Sequence, residues 1–272
     1  MAQDWEWAGV NLTTYAYNVR YLGAGESVPP RRGENLAIPG KTGRHLSTLK
    51  PLDERIVTLA MWVKDVESST GAFGTAREET LQTNLDTLKR AFARDGTALL
   101  KHSMAGTTRQ APAEILSSVQ FEPFGTAPYY QFVVEWVMHY PFWRAETART
   151  TGPTNLTTSP QNVTLVNNGT YRNEQGTISV TGQIVDPKLT IGDDWVQYTG
   201  TVAAGGTLTI DCASWVATNG TVDVSGDISH EGDLVWLPIP TGTAVTLAVS
   251  GTSMGTGINT PTIAVSYLEA YL

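Results

Sequence analysis

This sequence predicts a mainly β protein: an N-terminal β-rich domain with one amphipathic α-helix, followed by a β-sandwich of jelly-roll type. Three observations lead there. At 272 residues the chain is about twice the length of a common domain. Its charge is divided: up to Arg149 there are 16 basic and 16 acidic residues, whereas beyond it Arg172 and Lys188 alone oppose 10 acidic side chains, which accounts for the whole net charge of -8. Short apolar alternations broken by Gly, Asn and Pro recur along the chain, and one stretch alone has helical spacing. The expected boundary follows Arg149, giving domains 1–149 and 150–272.

In the first domain, residues 8–19 and 55–63 read as strands, the second with Ile56, Val57, Leu59, Met61 and Val63. Between them runs GESVPPRRGENLAIPGKTGRH, whose prolines and glycines predict a long charged loop without regular structure. Thr75 with Glu78 forms a capping box, after which Leu81, Leu85, Leu88 and Phe92 recur on one helical face and Gly96 ends the helix. One apolar stripe means that this helix lies on a sheet. Strands resume at 97–101, 115–121 and 129–140, the last alternating Phe132, Val134, Trp136 and Met138 against Val133, Glu135, Val137 and His139.

From Arg149 to Pro160 a Thr/Pro-rich segment reads as an interdomain linker. Beyond it, turn signals at Asn168-Gly169, Gly205-Gly206 and Asn219-Gly220 separate strands near 177–181, 207–211, 234–239, 244–250 and 262–268, the spacing of a sandwich.

Composition excludes several functions. An acidic second domain offers no nucleic-acid-binding surface, which requires basic charge. No stretch is apolar and long enough for membrane insertion, and the start has neither the basic flank nor the apolar run of a signal peptide, so synthesis in a reducing cytoplasm is expected. Cys212 reads as a buried free thiol. The four histidines, His45, His102, His139 and His230, lack zinc-ligand spacing, and no metal or other cofactor is expected. Asp193-Asp194 and the group Asp223, Asp227, Glu231 and Asp233 have the composition of glycosidase or calcium sites but fall in turns, where Asp commonly binds local backbone amides. Gly40-Lys41-Thr42-Gly43 lacks the upstream glycine of a phosphate loop, and there is no nucleophile elbow. The chain therefore reads as no enzyme. Trp195, Tyr198 and Trp215 remain as candidate carbohydrate contacts, although most aromatic residues of the sandwich, Trp236 among them, should be core. A carbohydrate-binding sandwich for host-surface adhesion stays open on that ground, and a glycoside hydrolase using the acidic turns is the third reading.

Several motifs, in order, resemble a known family. They are the loop from Glu34 to Gly43, the Asp53-x-Arg55 strand ending in Met61-Trp62-Val63, the single helix, and the aromatic strand closing on Tyr140-Pro141-Phe142-Trp143-Arg144. In the second domain they are Asn167-Asn168-Gly169-Thr170, Val180-Thr181-Gly182 through Asp186-Pro187-Lys188, and Gly206 to Asp211. The chain resembles the distal tail proteins of long-tailed bacteriophages over nearly its whole length. One departure is Tyr171-Arg172-Asn173-Glu174, where the family pattern would place a proline-bearing approach to the next strand. The resemblance implies a galectin-like second domain and a homohexameric ring of first domains at the virion tail tip. It further implies contact with the tail tube protein, the tail-tip hub protein and the tape measure protein, with side fibres or a receptor-binding protein carried outside. In such a head-to-tail ring Arg31, Arg32, Pro39, Gly40, Lys41 and Arg44 are the candidate subunit-interface residues, the basic ones pairing with a neighbour's carboxylates.

Overall fold

The computed structural model describes residues 3–23, 29, 36–37, 44–45, 52–73, 76–104, 106–123, 129–231 and 236–272. The chain divides into two compact units, residues 1–144 and 145–271, so the division precedes the charge break after Arg149.

The first unit is built on a curled antiparallel sheet. Its main path runs Val10–Asn11, Gln3–Trp7, Ala98–Met104, Thr107–Ile115, Tyr129–Met138, Arg55–Lys64, Tyr17–Gly23. The two central long strands pair over ten residues, from Tyr129↔Lys64 to Met138↔Arg55. Tyr129–Met138 meets Thr107–Ile115 at only two positions, Trp136↔Ile115 and Val137↔Glu114, so the sheet consists of two halves joined at a narrow seam. Alternation sets the faces as expected: Phe132, Val134, Trp136 and Met138 are buried, as are Val57, Leu59, Met61 and Val63, while Ile56 lies on the opposite face and is 41% exposed.

The helix, Arg77–Phe92, covers the inner face with Asn84, Leu85, Leu88 and Ala91 buried. Trp7 donates its indole N–H to the Ala91 carbonyl at 3.1 Å, and the Asn84 side-chain amide donates to the carbonyls of Lys64 (2.9 Å) and Val66 (3.0 Å). Phe92 packs edge-on against Phe132 and Trp136. The N-terminus differs from the expected capping box. Ala76 occupies the N-cap position without a side-chain bond, and Thr75 lies outside the described residues. Glu78 and Glu79 supply negative charge to the first turn, which suits the helix dipole without a box. Arg77, the first helical residue, pairs with the buried Asp65. The helix stops at Phe92, Ala93 caps it, and Gly96 turns the chain at φ +76° toward the next strand.

Two expected strands are displaced. Residues 12–16 are bends between Val10–Asn11 and Tyr17–Gly23, and the strand expected at 115–121 is instead Thr107–Ile115, with Leu116 half exposed beyond it. Pro112 and the flanking polar residues of Thr107–Ile115 disguise it, because its pairing with Ala98–Met104 comes from the neighbouring strand rather than from its own propensity.

The second unit is a β-sandwich. Its six-stranded sheet runs Arg149–Asn155, Thr262–Tyr267, Thr177–Thr181, Thr207–Asp211, Val216–Asn219, Val222–Asp223, and its five-stranded sheet Gln161–Asn167, Gly242–Ser250, Lys188–Ile191, Asp194–Tyr198, Ile228–Glu231. A smaller sheet joins Thr201–Val202, Ile184–Val185 and Ser253–Met254. Inward residues of both faces form one core that includes Val163, Leu165, Ile178, Val180, Leu189, Val196, Leu208, Ile210, Leu247, Val249, Ile263 and Val265. The segment expected as a linker is a strand. Arg149–Asn155 pairs with Thr262–Tyr267, with a register shift between Thr151 and Thr154. Threonine suits an extended chain, and Pro153 is tolerated because this strand is a sheet edge. Likewise no strand forms at 236–239, where Asn173 makes an isolated bridge to Ile239.

One polar cluster ties the sandwich opening to the end of its last strand. The buried Asn167 donates to the carbonyls of Ile239 (3.0 Å) and Tyr171 (3.3 Å) and accepts the Gly169 N–H (3.1 Å). A Cβ on Gly169 would lie 2.3 Å from the Ala270 carbonyl oxygen, so the chain passes there only as glycine. The buried Glu269 accepts the Asn168 N–H (3.0 Å), the Arg149 Nε–H (2.7 Å) and the Tyr271 hydroxyl (2.9 Å). Burial pushes this carboxyl up, but those three donors outweigh it and hold Glu269 below its ordinary range.

A carboxylate with a depressed pKa contributes stability above its unfolded pKa, near 4.5, and loses it as pH falls through the folded value. Glu269→Gln should therefore lower stability at pH 7 by about 1–3 kcal/mol and weaken the acid sensitivity of urea unfolding. A variant with the wild-type urea midpoint at pH 7 would show that the cluster contributes nothing.

Candidate interaction surface

On the outer face of the first unit, Trp62 and Tyr129 come from adjacent strands whose register sets Tyr129 against Lys64 and Gln131 against Trp62. Tyr15 and Phe73 flank them from turns and are 63% and 67% exposed. Together they line a groove of about 650 Å³. Gly71 underlies it: an added Cβ would come within 2.9 Å of the Tyr15 ring. The Arg77 guanidinium stacks 4.5 Å from the Phe73 ring centre while paired with Asp65, which places a cation and an exposed aromatic side by side. Exposed aromatic side chains beside arginine are the composition of protein contact surfaces.

Of the expected interface residues, Arg31, Arg32, Pro39, Gly40 and Lys41 lie outside the described residues. Arg44 is on a two-residue strand: Leu36–Ala37 pairs antiparallel with Arg44–His45, in the register Leu36↔His45 and Ala37↔Arg44. Regular pairing at the ends of the GENLAIPGKTGRH stretch corrects the expectation of a loop without secondary structure.

In the second unit the structure does not bring Trp195, Tyr198 and Trp215 together. Tyr198 is buried in the sandwich core, whereas Trp195 lies on the other face of the same strand. The Lys188 ammonium sits 4.1 Å from the Trp195 ring centre, and the Trp195 indole N–H donates to Glu231. Lys188 thus covers ring surface on which a sugar would stack. Trp215 is 49% exposed, whereas Trp236 is buried. Trp215 closes the turn after Asp211, whose carboxylate accepts the Ala213 N–H (2.9 Å) and the Ser214 hydroxyl (2.7 Å), and the Trp215 backbone is left-handed at φ +58°.

Of the acidic turn residues, Asp223 engages a local partner. Asp193 is in the tight turn between Lys188–Ile191 and Asp194–Tyr198. Asp223 accepts the Ser225 hydroxyl (2.6 Å) and N–H (2.9 Å), which hold its carboxyl below the usual range. His230 and Glu231 are on the Ile228–Glu231 strand rather than in a turn. Asp233 lies outside the described residues. His102 is buried and stacked on Trp5 at 4.3 Å. Among the described residues no group of three or more His, Cys, Asp or Glu side chains is arranged to hold a metal ion, and no helix is long and apolar enough to cross a membrane.

A two-unit protein with a curled sheet and helix followed by a β-sandwich is the class that this geometry defines. The chain has the fold of the SPP1 Dit (gp 19.1) protein, described as a paradigm of the hub adsorption apparatus in phages infecting Gram-positive hosts; the TM-score is 0.68, identity is 14%, and the match covers 100% of both chains. The phage P2 baseplate in its activated conformation with Ca matches at TM-score 0.41 and 9% identity, and the same baseplate with Sr at 0.43 and 7%, each over 98% of both chains. These two scores add nothing to the fold assignment. No family model matches the chain, and no curated protein matches it.

Cys212 is buried, and burial pushes its thiol up to about 12, so it carries almost no thiolate at neutral pH. Native protein should resist maleimide labelling for hours at pH 7 and label with one equivalent in denaturant. Rapid labelling of folded protein would contradict the burial.

Proposed function

We propose that this protein is a structural component of a bacteriophage tail tip, a distal tail protein whose first domains form a homohexameric ring between the tail tube and the tip hub. In this reading residues 1–149 close the ring, beside the tape measure protein, and the sandwich of residues 150–272 faces outward, carrying side fibres or a receptor-binding protein. The protein is made in the host cytoplasm, ends in the virion tail, and performs no catalytic step. The observation that carries the reading is the shared fold over the entire length of both chains with SPP1 Dit, which adds two halves in the same order to the ordered motifs of the sequence. The charge division agrees with it: a balanced first domain suits close contact between copies, and an acidic one suits exposure to water.

Light scattering of purified protein should give an assembly of six 29.4 kDa chains, and negative-stain images a ring. The combined variant Arg31→Glu, Arg32→Glu, Lys41→Glu and Arg44→Glu should shift the population toward monomers with its circular dichroism unchanged, because several weak ion pairs are reversed together. A strict monomer at high concentration, absent from phage tails, would overturn the reading.

A second reading, adhesion through the sandwich, has one observation in its favour, the half-exposed Trp215 on its pinned turn. It expects glycan-array binding by the full chain that is lost in Trp215→Ala and kept in Trp195→Ala, whose ring is already engaged by Lys188. Silence across a broad glycan panel removes it.

A further inference from the structure

The seam of the first unit carries a titratable group that the proposed function does not use. His139 follows the Tyr129–Met138 strand, and its two ring nitrogens face different carboxylates: Nδ1 lies 2.8 Å from Glu54 Oε1 and Nε2 lies 3.6 Å from Glu114 Oε2. The carboxylates belong to different halves of the sheet. Glu54 immediately precedes the Arg55–Lys64 strand, in the same half as His139. Glu114 is on Thr107–Ile115, across the seam, and is itself one of the two residues that pair there, opposite Val137. Just beyond that pairing the Leu116 N–H donates to the Glu135 carbonyl at 2.8 Å.

We propose that His139 is a pH-sensitive clasp, which bridges Glu54 and Glu114 when protonated and loses its hold on Glu114, across the seam, when neutral. The chemistry follows from the imidazole. Protonated, it has two N–H donors and a positive charge, and each carboxylate receives one side of it. Neutral, it keeps a single N–H. The shorter contact retains that proton on Nδ1 for Glu54, so Nε2 turns a lone pair toward the Glu114 carboxylate, and the contact across the seam changes from attraction to repulsion. The link that fails is thus the one between the halves. All three side chains are between 40% and 54% exposed, so solvent protons reach them freely.

The field at the ring agrees with this geometry. The bond to Glu54 raises the His139 pKa above its ordinary 6.5, burial opposes it, and Glu114 adds to the rise; among the described residues Glu54 and Glu114 are the charged groups that act on it. A group with a raised folded pKa stabilises fully below 6.5 and loses its contribution as pH rises through the folded value. The clasp is closed in mild acid and opens above neutrality.

Amide hydrogen exchange on the full chain, read by NMR and corrected for the intrinsic pH dependence of exchange, tests it. Protection of Leu116 and Val137 should fall about twofold to fivefold between pH 5.5 and 8.5, the range an exposed ion pair supports, while amides in Lys188–Ile191 keep theirs. In His139→Gln and Glu114→Gln the seam amides should show no such step, and Glu54→Gln should shift its midpoint down. Because the sites are surface residues, circular dichroism will show that each variant folds. Seam protection independent of pH in the wild type, or the same step in His139→Gln, overturns the proposal. Since the readout is local, it stands or falls apart from any result on ring assembly.

Discussion

Residues 1–144 depend on how the concave face of a curled sheet is covered. The face is apolar on both halves, and the halves share only two residue pairs along the backbone, so ladder hydrogen bonds alone do not define the curl. Side chains do. Trp7 from one half approaches Trp136 from the other at 5.8 Å, and the helix lays Leu85 and Leu88 across the same space. Each fully buried side chain of that size is worth about 1.5–3 kcal/mol of transfer free energy. Polar groups fix the position that packing leaves free. The Ala91 carbonyl, in the last helical turn, has no partner within the helix, and the Trp7 indole N–H reaches it from the sheet. Asn84, buried on the helix, satisfies the Lys64 and Val66 carbonyls where the central strand ends. These bonds are directional, so the helix has one register on the sheet.

The sandwich of residues 145–271 solves the same problem with alternation. Inward residues of both sheets share one core, and that core needs no helix. Its polar interior is restricted to places where the chain must change direction. Asn167 and Glu269 bind backbone donors and acceptors that the ladders leave unpaired, and Asp186, left-handed at φ +48°, accepts the Gly200 N–H to hold the bend before Lys188. Several of the motifs on which the sequence resemblance rests lie at these bends. Asn167-Asn168-Gly169 and Asp186-Pro187-Lys188 are therefore explained by local hydrogen bonding and close backbone approach, and they speak for the fold rather than for a ligand. The same account covers Asn173, the departure from the family pattern, whose side chain accepts the Gln175 N–H at 2.9 Å and donates to the Leu268 carbonyl.

In the proposed reading, function is a matter of surface. Asp223 holds a local amide, the cysteine is buried, and Trp195 is engaged by Lys188 and Glu231. Among the described residues, Tyr15, Phe73 and Trp62 stand outward beside Arg77 on the first unit, and Trp215 is half exposed on the second. Assembly uses such features directly, because a repeated contact gains from many modest interactions and needs no converging catalytic groups.

The fold class, the helix and its buried face, the strand from Tyr129 and the burial of Cys212 were legible in the sequence, because each is written in a local period or in one residue's chemistry. Local pattern misled where partners decide. Arg149–Asn155 has the composition of a linker and is an edge strand, since Thr262–Tyr267 supplies its hydrogen bonds. Thr107–Ile115 is concealed by Pro112 for the same reason. Trp195 and Tyr198 look alike three residues apart, yet the pleat sends one to the core and the other to Lys188. Nor does any spacing relate Glu54, Glu114 and His139, which meet only because three strands bring residues far apart in the chain to one seam. By itself the sequence determined the fold class, the helix and where its charge lies, since periodicity and composition are properties of neighbours along the chain. Tertiary structure alone decided strand order, the edges and the side-chain meetings at the seam, because those are set by hydrogen bonds and contacts between residues that the chain keeps apart.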